Sequence, residues 1–282
     1  AASGEISPPI YKRDFSRTFY DKLREQVDLD NNKFWGKFVD SQMGKPSPDD
    51  SLPPIDKAEI NHMKKFIQPG DIVMNGNNGS FVHGLLYVDK DPQLQARLEK
   101  QWGLKPGELA NETLILHSLA VDEDVTVDGK VYKAGGTGPI IDTLEQYVKR
   151  HPRDVMIAVK MKGITEADRK QAIENGKQLL GRSYDKGFNT FDDQDIYCTE
   201  FVMKSWNQTT HPPDFKMSQF PLLPTPGFLT KILPDRWSKA LAEDGFLHQE
   251  MIMTDGILAS PSVDIVWASA HADRSKLFQK HE

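Results

Sequence analysis

One cysteine and two histidines in this sequence have the types and settings that a thiol-dependent hydrolase needs. Cys198 is the only cysteine among the 282 residues. It opens a run, residues 198–206, whose apolar spacing predicts a helix with the thiol in its first turn. Free N–H groups and the helix dipole favour a thiolate at that end, and a thiolate is a nucleophile. A lone cysteine is also often a buried apolar side chain, so both interpretations stay open here.

His83 and His117 each lie in the middle of an otherwise apolar run, residues 81–88 and 113–121, which predicts two strands. If these strands are antiparallel neighbours, alternating positions share a face and the two rings can be adjacent. A cysteine hydrolase needs an imidazole to take the thiol proton and a polar group to orient that imidazole. The alternative for either histidine is a core position with satisfied hydrogen bonds.

Other classes of function fit the sequence less well. His83, His117 and an acidic residue could in principle bind zinc, but the sequence has no HExxH motif and no histidine pair at helical spacing. We expect no metal and no cofactor. The net charge is −6 without a basic block, which argues against a nucleic-acid partner. No apolar run approaches the roughly 20 residues that span a bilayer.

The rest of the pattern predicts the elements that position these residues. Helices are expected at 55–66, 93–101, 141–149, 165–180 and 237–243, with Thr165 and Asp168 forming a capping box at the start of the fourth. Further strands are expected at 72–74, 155–159, 251–257 and 263–268, with a hairpin at 125–132. We expect a core at residues 55–206, an N-terminal extension at 1–54 packed on it, and a C-terminal extension at 207–282 that completes the same domain.

Several motifs in this order resemble a known family. Pro69-Gly70-Asp71 precedes the first strand, His83 lies in VHGLLYV, and GRSYD (residues 181–185) precedes YCTEFV (residues 197–202). The region of about 65–206 resembles the circularly permuted papain-like amidases of the NlpC/P60 superfamily, most closely the YiiX/YaeF-like group. The resemblance implies an α+β fold, in which an antiparallel sheet packs on the helix that bears the cysteine.

The resemblance also implies roles for individual residues. Cys198 would be the nucleophile and His83 the base, with the histidine before the cysteine in the chain. His117 would be the third, orienting member, although many relatives have Glu at that place. Tyr184 resembles a family tyrosine near the nucleophile, where it would contact the substrate; the alternative is an aromatic ring packed under the loop. Glu200 is expected to cap or to pair structurally rather than to act as an acid.

The expected activity is thiolate-dependent hydrolysis of a peptide or amino-acyl amide, with a cell-wall peptide as the substrate if the chain is exported. The start of the sequence, Ala-Ala-Ser-Gly, favours an exported protein, periplasmic or secreted. One alternative is a lipid acyl-ester hydrolase or acyltransferase like the lecithin–retinol acyltransferase relatives, whose apolar cleft would use Phe81, Leu85, Phe188 and Phe191. Another is a binding protein with an unreactive Cys198. The oligomeric state does not follow from the sequence.

Overall fold

The computed structural model describes residues 54–77, 80–152, 154–185, 195–221 and 248–269, and two short strands at 11–13 and 278–280. The strands are β1 Tyr11–Arg13, β2 Ile72–Asn77, β3 Ser80–Asp89, β4 Leu114–Leu119, β5 Asp124–Val127, β6 Lys130–Lys133, β7 Gly138–Thr143, β8 Val155–Met161, β9 Met217–Pro221, β10 His248–Ile252, β11 Val263–Ala268 and β12 Phe278–Lys280. The helices are α1 Lys57–Met63, α2 Pro92–Gln101, α3 Leu144–Arg150, α4 Glu166–Leu179, α5 Cys198–Asn207 and α6 Thr254–Leu258. We call α5 the cysteine helix.

Six of the strands form one antiparallel sheet in the order β11-β8-β2-β3-β4-β7. Successive side chains of a strand point to opposite faces. Leu86 and Leu116 therefore pack with α4 and the cysteine helix, whereas Leu85 and Ile115 pack with α1 and α3. The sheet is covered by helices on both faces, and the α+β class predicted from the sequence is confirmed.

Local sequence signals account for the helices that flank the site. The predicted capping box opens α4, where the Asp168 N–H donates to Thr165 Oγ1 over 3.1 Å and the Thr165 N–H donates to Asp168 Oδ2 over 3.2 Å. In the cysteine helix, Glu200 reaches back to accept from the Tyr197 N–H over 3.2 Å. It also forms an ion pair with Lys204. Glu200 thus has capping and pairing contacts of the kind expected from its position.

Two predicted boundaries are wrong. The helix expected at 141–149 begins at Leu144, because Ile141–Thr143 complete β7, which pairs with β4 at the edge of the sheet. All six residues of β7 are buried, and a short apolar run fits a buried strand as well as a helix. The strand expected at 251–257 ends at Ile252, and α6 follows it. The helix expected at 237–243 and nearly all of the N-terminal extension lie outside the described residues.

The segment after residue 247 holds the start of the cysteine helix. Thr199 Oγ1 donates to the Ile252 carbonyl over 2.7 Å, and the Ile252 N–H donates to the Tyr197 hydroxyl over 2.9 Å. β11 then pairs with β8 and becomes the outer strand of the six-stranded sheet. Residues beyond the cysteine helix therefore contribute to the same sheet. The division at residues 54 and 206 stays a prediction.

Candidate active site

Cys198 is the first residue of the cysteine helix, where backbone N–H groups have no partner inside the helix. Its sulfur interacts with the N–H groups of Gly84, Thr199 and Cys198 itself. Gly84 lies against the helix, since a Cβ there would be 3.4 Å from a methyl group of Val202. The side chain of Cys198 is 6% exposed. The thiol thus sits where β3 and the cysteine helix meet, among several N–H donors.

Burial raises the pKa of the Cys198 thiol above its ordinary value of 9.0. The surrounding N–H groups and the Tyr184 hydroxyl act in the opposite direction, but they do not outweigh the loss of solvent. This shift favours the protonated thiol in the resting protein near neutral pH, rather than the thiolate that the helix start favours. A protonated thiol needs a base that removes its proton when a substrate is attacked.

His83 and His117 lie on the neighbouring antiparallel strands β3 and β4, and their side chains are buried. His83 Nε2 and His117 Nδ1 are 2.9 Å apart, which is a hydrogen bond between the two rings. The other nitrogen of His83, Nδ1, is buried and has no hydrogen-bond partner within the described parts of the chain. The structure therefore joins the two histidines, and it leaves one nitrogen of His83 available to accept a proton. Their catalytic roles stay predictions.

The ring of Tyr147 covers this histidine pair. It stacks on His83, with ring centroids 5.8 Å apart and planes inclined by 18°, and it meets His117 edge-on at 5.2 Å. Its hydroxyl donates to Asn75 Oδ1 over 2.6 Å, which fixes the ring in place. Burial raises the pKa of Tyr147 well above its usual value, and the charge of a Cys198 thiolate would raise it further. Tyr147 therefore packs against both histidines and lies within electrostatic range of Cys198.

The pKa of His83 is lowered well below the ordinary value of 6.5. Burial is the largest cause of this lower pKa, and the electrostatic interactions with His117, His151 and Arg150 act in the same direction, while the interaction with Glu123 opposes them. The His83 ring is consequently neutral near pH 7, which is the form that can take a proton.

Tyr184 lies next to Cys198, and its proposed contact with a substrate stays a prediction. Its hydroxyl interacts with the Cys198 sulfur, and burial raises its pKa well above the usual value, so the group stays protonated and can donate. The segment before it lies directly on β7: a Cβ at Gly138 would be 2.0 Å from the Arg182 carbonyl oxygen. Tyr184 also belongs to the apolar core. Both interpretations of this residue, a polar contact at the site and a packed ring, thus have an observed basis.

Sequence reasoning missed the charged groups behind the histidines. His117 Nε2 lies 3.4 Å from Asp142 Oδ2, both fully buried, in an arrangement not aligned for a hydrogen bond. Asp142 forms an ion pair with Arg150, and Arg150 Nε forms a second one with Glu123 over 2.6 Å. The only sequence signal was an Asp inside an apolar run, and it was obscured because that run was assigned to a helix.

Two further expectations concern the kind of site. Within the residues that the structure describes, no group of three or more His, Cys, Asp or Glu side chains is placed to hold a metal ion. Of the residues proposed for an apolar cleft, Leu85 is fully buried in the core on the α1 and α3 side of the sheet. Phe188, Phe191 and the side chain of Phe81 lie outside the described residues.

None of the described helices has the length and apolar composition that a bilayer-spanning helix requires.

Comparison with known families decides the class of the protein. The sequence profile of the permuted papain-like amidases, YaeF/YiiX, C92 family, matches residues 64–222. The chain belongs to this family. The family membership and the permuted papain-like fold predicted from the sequence are thereby confirmed, and this member of the family is a cysteine peptidase or amidase-like hydrolase.

Two further comparisons add little to the family assignment. A solved structure described as the metalloprotein yiiX from Escherichia coli O157:H7 is 16% identical over 72% of this chain and 98% of that chain, with a TM-score of 0.39. The search of curated proteins returned no match.

Proposed function

We propose that this amidase hydrolyses a peptide or amino-acyl amide with Cys198 as nucleophile, His83 as base and His117 as the residue that orients His83. The observation that carries the proposal is the His83 ring itself. One nitrogen is engaged by His117, and the other is buried with no partner in the described residues. A buried acceptor without a partner costs free energy, and accepting the proton of the Cys198 thiol is a role that would account for it.

The reaction follows from these contacts. His83 Nδ1 takes the thiol proton as the sulfur attacks the carbonyl carbon of the substrate, and the carbonyl oxygen becomes an oxyanion. The N–H groups that now surround the sulfur, those of Gly84 and Cys198, and the Tyr184 hydroxyl are the donors available to that oxyanion. His83 returns the proton to the leaving nitrogen as the C–N bond breaks. Water then hydrolyses the thioester, which releases a carboxylic acid and restores the thiol.

The substrate class follows from the family, and its identity is part of the proposal. An amidase that is exported would meet cell-wall peptides, so we propose short peptides of that kind as substrates and the periplasm or the exterior as the location. A panel of amino-acyl and peptide amides, tested beside acyl esters of matched leaving group, distinguishes the amidase from the acyl-ester alternative.

The nucleophile can be tested because the chain has a single cysteine. We expect Cys198→Ala to abolish hydrolysis while the fold survives, because removal of one small side chain costs about 1–2 kcal/mol. We also expect iodoacetamide to alkylate the wild type at pH 7, and His83→Gln to slow that alkylation at least about tenfold. Mass spectrometry measures both rates. His211→Gln is the matched control, since the His211 side chain is 61% exposed and contacts Asp168 instead.

A fully active Cys198→Ala variant would end the nucleophile assignment. Equal alkylation rates in the wild type and in His83→Gln would remove His83 as the base. An unreactive Cys198, together with no turnover on either the amides or the esters, would favour the binding-protein alternative.

A further inference from the structure

Asp142 lies beside the histidine pair because of the register of the sheet. His117 in β4 is opposite Ile140 in β7, so Asp142, two residues further along β7, is its diagonal neighbour on the same face. The side chains of His117 and Asp142 are 0% exposed, and His117 Nε2 is 3.4 Å from Asp142 Oδ2. The outer nitrogen of His117 thus faces a buried carboxylate.

This carboxylate is held in its ionised form. Burial alone would raise the pKa of Asp142, but the interaction with His117 and the charge of Arg150 outweigh it and leave the pKa below its ordinary value. Asp142 Oδ1 also accepts from the Thr143 N–H over 2.7 Å. Arg150 is in turn fixed by Glu123. The pKa of Glu123 is about 2, because His151 and Arg150 together outweigh the effect of its burial. The ionised side chains of Asp142, Arg150 and Glu123 are therefore held by ion pairs with one another.

An ionised carboxylate only accepts hydrogen bonds, and this determines where the protons of both rings sit. His117 Nε2 lies 3.4 Å from Asp142 Oδ2. A carboxylate attracts a ring N–H and repels a ring lone pair, so this contact favours the tautomer of His117 with its proton on Nε2. Its Nδ1 is then the acceptor in the bond to His83, which places the His83 proton on Nε2. His83 Nδ1 is left without a proton, as a base requires.

We infer that Asp142 is a positioning residue for hydrolysis, whose buried carboxylate sets the tautomer of His117 and, through it, the tautomer of His83. This inference rests on the proposed roles of Cys198 and His83. It adds a fourth member that touches neither the thiol nor the substrate.

The substitution Asp142→Asn is expected to move the proton of each histidine ring from Nε2 to Nδ1. An Asn can donate its N–H to His117 Nε2, which drives the His117 proton to Nδ1. His117 then donates to His83 Nε2, and the His83 proton moves to Nδ1, where it blocks acceptance from the thiol. We expect kcat to fall by about 10²- to 10⁴-fold with KM little changed. Asp142→Glu keeps a carboxylate and should restore part of the rate.

The tautomers can be measured without a substrate. Nitrogen-15 NMR of histidine-labelled wild-type protein should show both His83 and His117 protonated at Nε2. In Asp142→Asn, both rings should carry the proton at Nδ1. Asp71→Asn is the matched control, since Asp71 is equally buried and equally paired with an arginine, Arg169, over 2.7 Å. It should cost comparable stability and leave both tautomers unchanged.

Each outcome of these measurements tests a different part of the inference or of the proposed function. A wild-type spectrum with His117 protonated at Nδ1 would overturn the inference even if the Asp142 variants fail to fold. Unchanged tautomers in Asp142→Asn would overturn it as well, while leaving an inactive Cys198→Ala as valid support for the nucleophile. Altered tautomers with wild-type kcat would show that the tautomer has no role in the reaction. Activity in Cys198→Ala would instead count against the proposed function itself.

Discussion

The two reacting groups of this site rest in their neutral forms. Burial raises the pKa of the Cys198 thiol and lowers that of the His83 imidazole, so the two shifts oppose a thiolate–imidazolium pair. In the proposed mechanism, the thiolate is therefore generated in the presence of the substrate, as the sulfur attacks the carbonyl carbon and His83 receives the proton. Alkylation of Cys198 by a thiol reagent then depends on a base that takes the thiol proton, and the site tolerates acid because His83 is hard to protonate.

The first prediction concerns this acid tolerance. Activity requires neutral His83, and the lowered pKa means that the ring is protonated only well below pH 6.5. We expect kcat/KM to remain near its maximum as the pH falls from 7 to 6.5 and to decline only at lower values. The titratable and charged groups that act on the pKa of His83 are His117, His151, Arg150 and Glu123.

A variant shows whether these charges set the profile. Arg150→Gln removes one of the positive charges that lower the pKa of His83, so the acidic limb should move to higher pH. Steady-state kinetics between pH 4 and pH 9 measure both limbs. A wild-type limb centred at or above pH 6.5, or an unmoved limb in Arg150→Gln, contradicts this account.

At the scale of elements, short motifs predicted more of the site than periodicity did. The capping box at Thr165 and the helix start at Cys198 depend on contacts between residues close in sequence, and both were predictable. The hydrogen bond between His83 and His117 followed from two apolar strands with central histidines. The position of Asp142 beside the histidines could not be predicted, because its partners come from β4 and α3. Its own run is also so short that only strand pairing distinguishes a buried strand from a helix there.

A second prediction concerns the contact between β7 and the segment that leads to Tyr184. Gly138 has φ +96°, and a Cβ there would lie 2.0 Å from the Arg182 carbonyl oxygen, so this segment must move if Gly138 gains a side chain. We expect Gly138→Ala to lower the free energy of unfolding by about 3 kcal/mol or more and to reduce activity by displacing Tyr184. Chemical denaturation and steady-state kinetics provide the two measurements.

Gly181 is the matched control for backbone strain. Its φ is +88°, but a Cβ there would meet nothing within 4 Å. Gly181→Ala should therefore cost about 1–2 kcal/mol, from the left-handed backbone alone. Equal losses in the two variants would mean that the close contact at Gly138 is unimportant.

At the scale of the whole molecule, the site is assembled from segments far apart in the chain. β3 contributes the proposed base, the cysteine helix contributes the thiol, and the segment 248–269 fixes the start of that helix through Ile252. The family match ends at residue 222, before this last segment begins. The matched region alone therefore lacks β11 and the two hydrogen bonds that Ile252 makes to the cysteine helix.

A third prediction follows from that arrangement. A chain that stops after residue 222 should show no cooperative unfolding transition and no activity, because β8 loses its outer neighbour and Tyr197 and Thr199 lose Ile252. A chain that stops after residue 269 keeps β10, α6 and β11 and should retain both properties. Thermal unfolding followed by circular dichroism compares the two. A stable, active chain ending at residue 222 would show that the C-terminal segment is dispensable.

The two hydrogen bonds between Ile252 and the start of the cysteine helix also bear on when the protein becomes active during its synthesis. The proposed base, the thiol and the orienting histidine have all been made once residue 207 is complete, but the strand that secures Tyr197 and Thr199 is added later. A chain emerging from the ribosome therefore carries its reactive residues for some time without the contact that fixes them. We therefore expect hydrolytic activity to begin only after residues 248–252 have been made and have packed against the start of the cysteine helix.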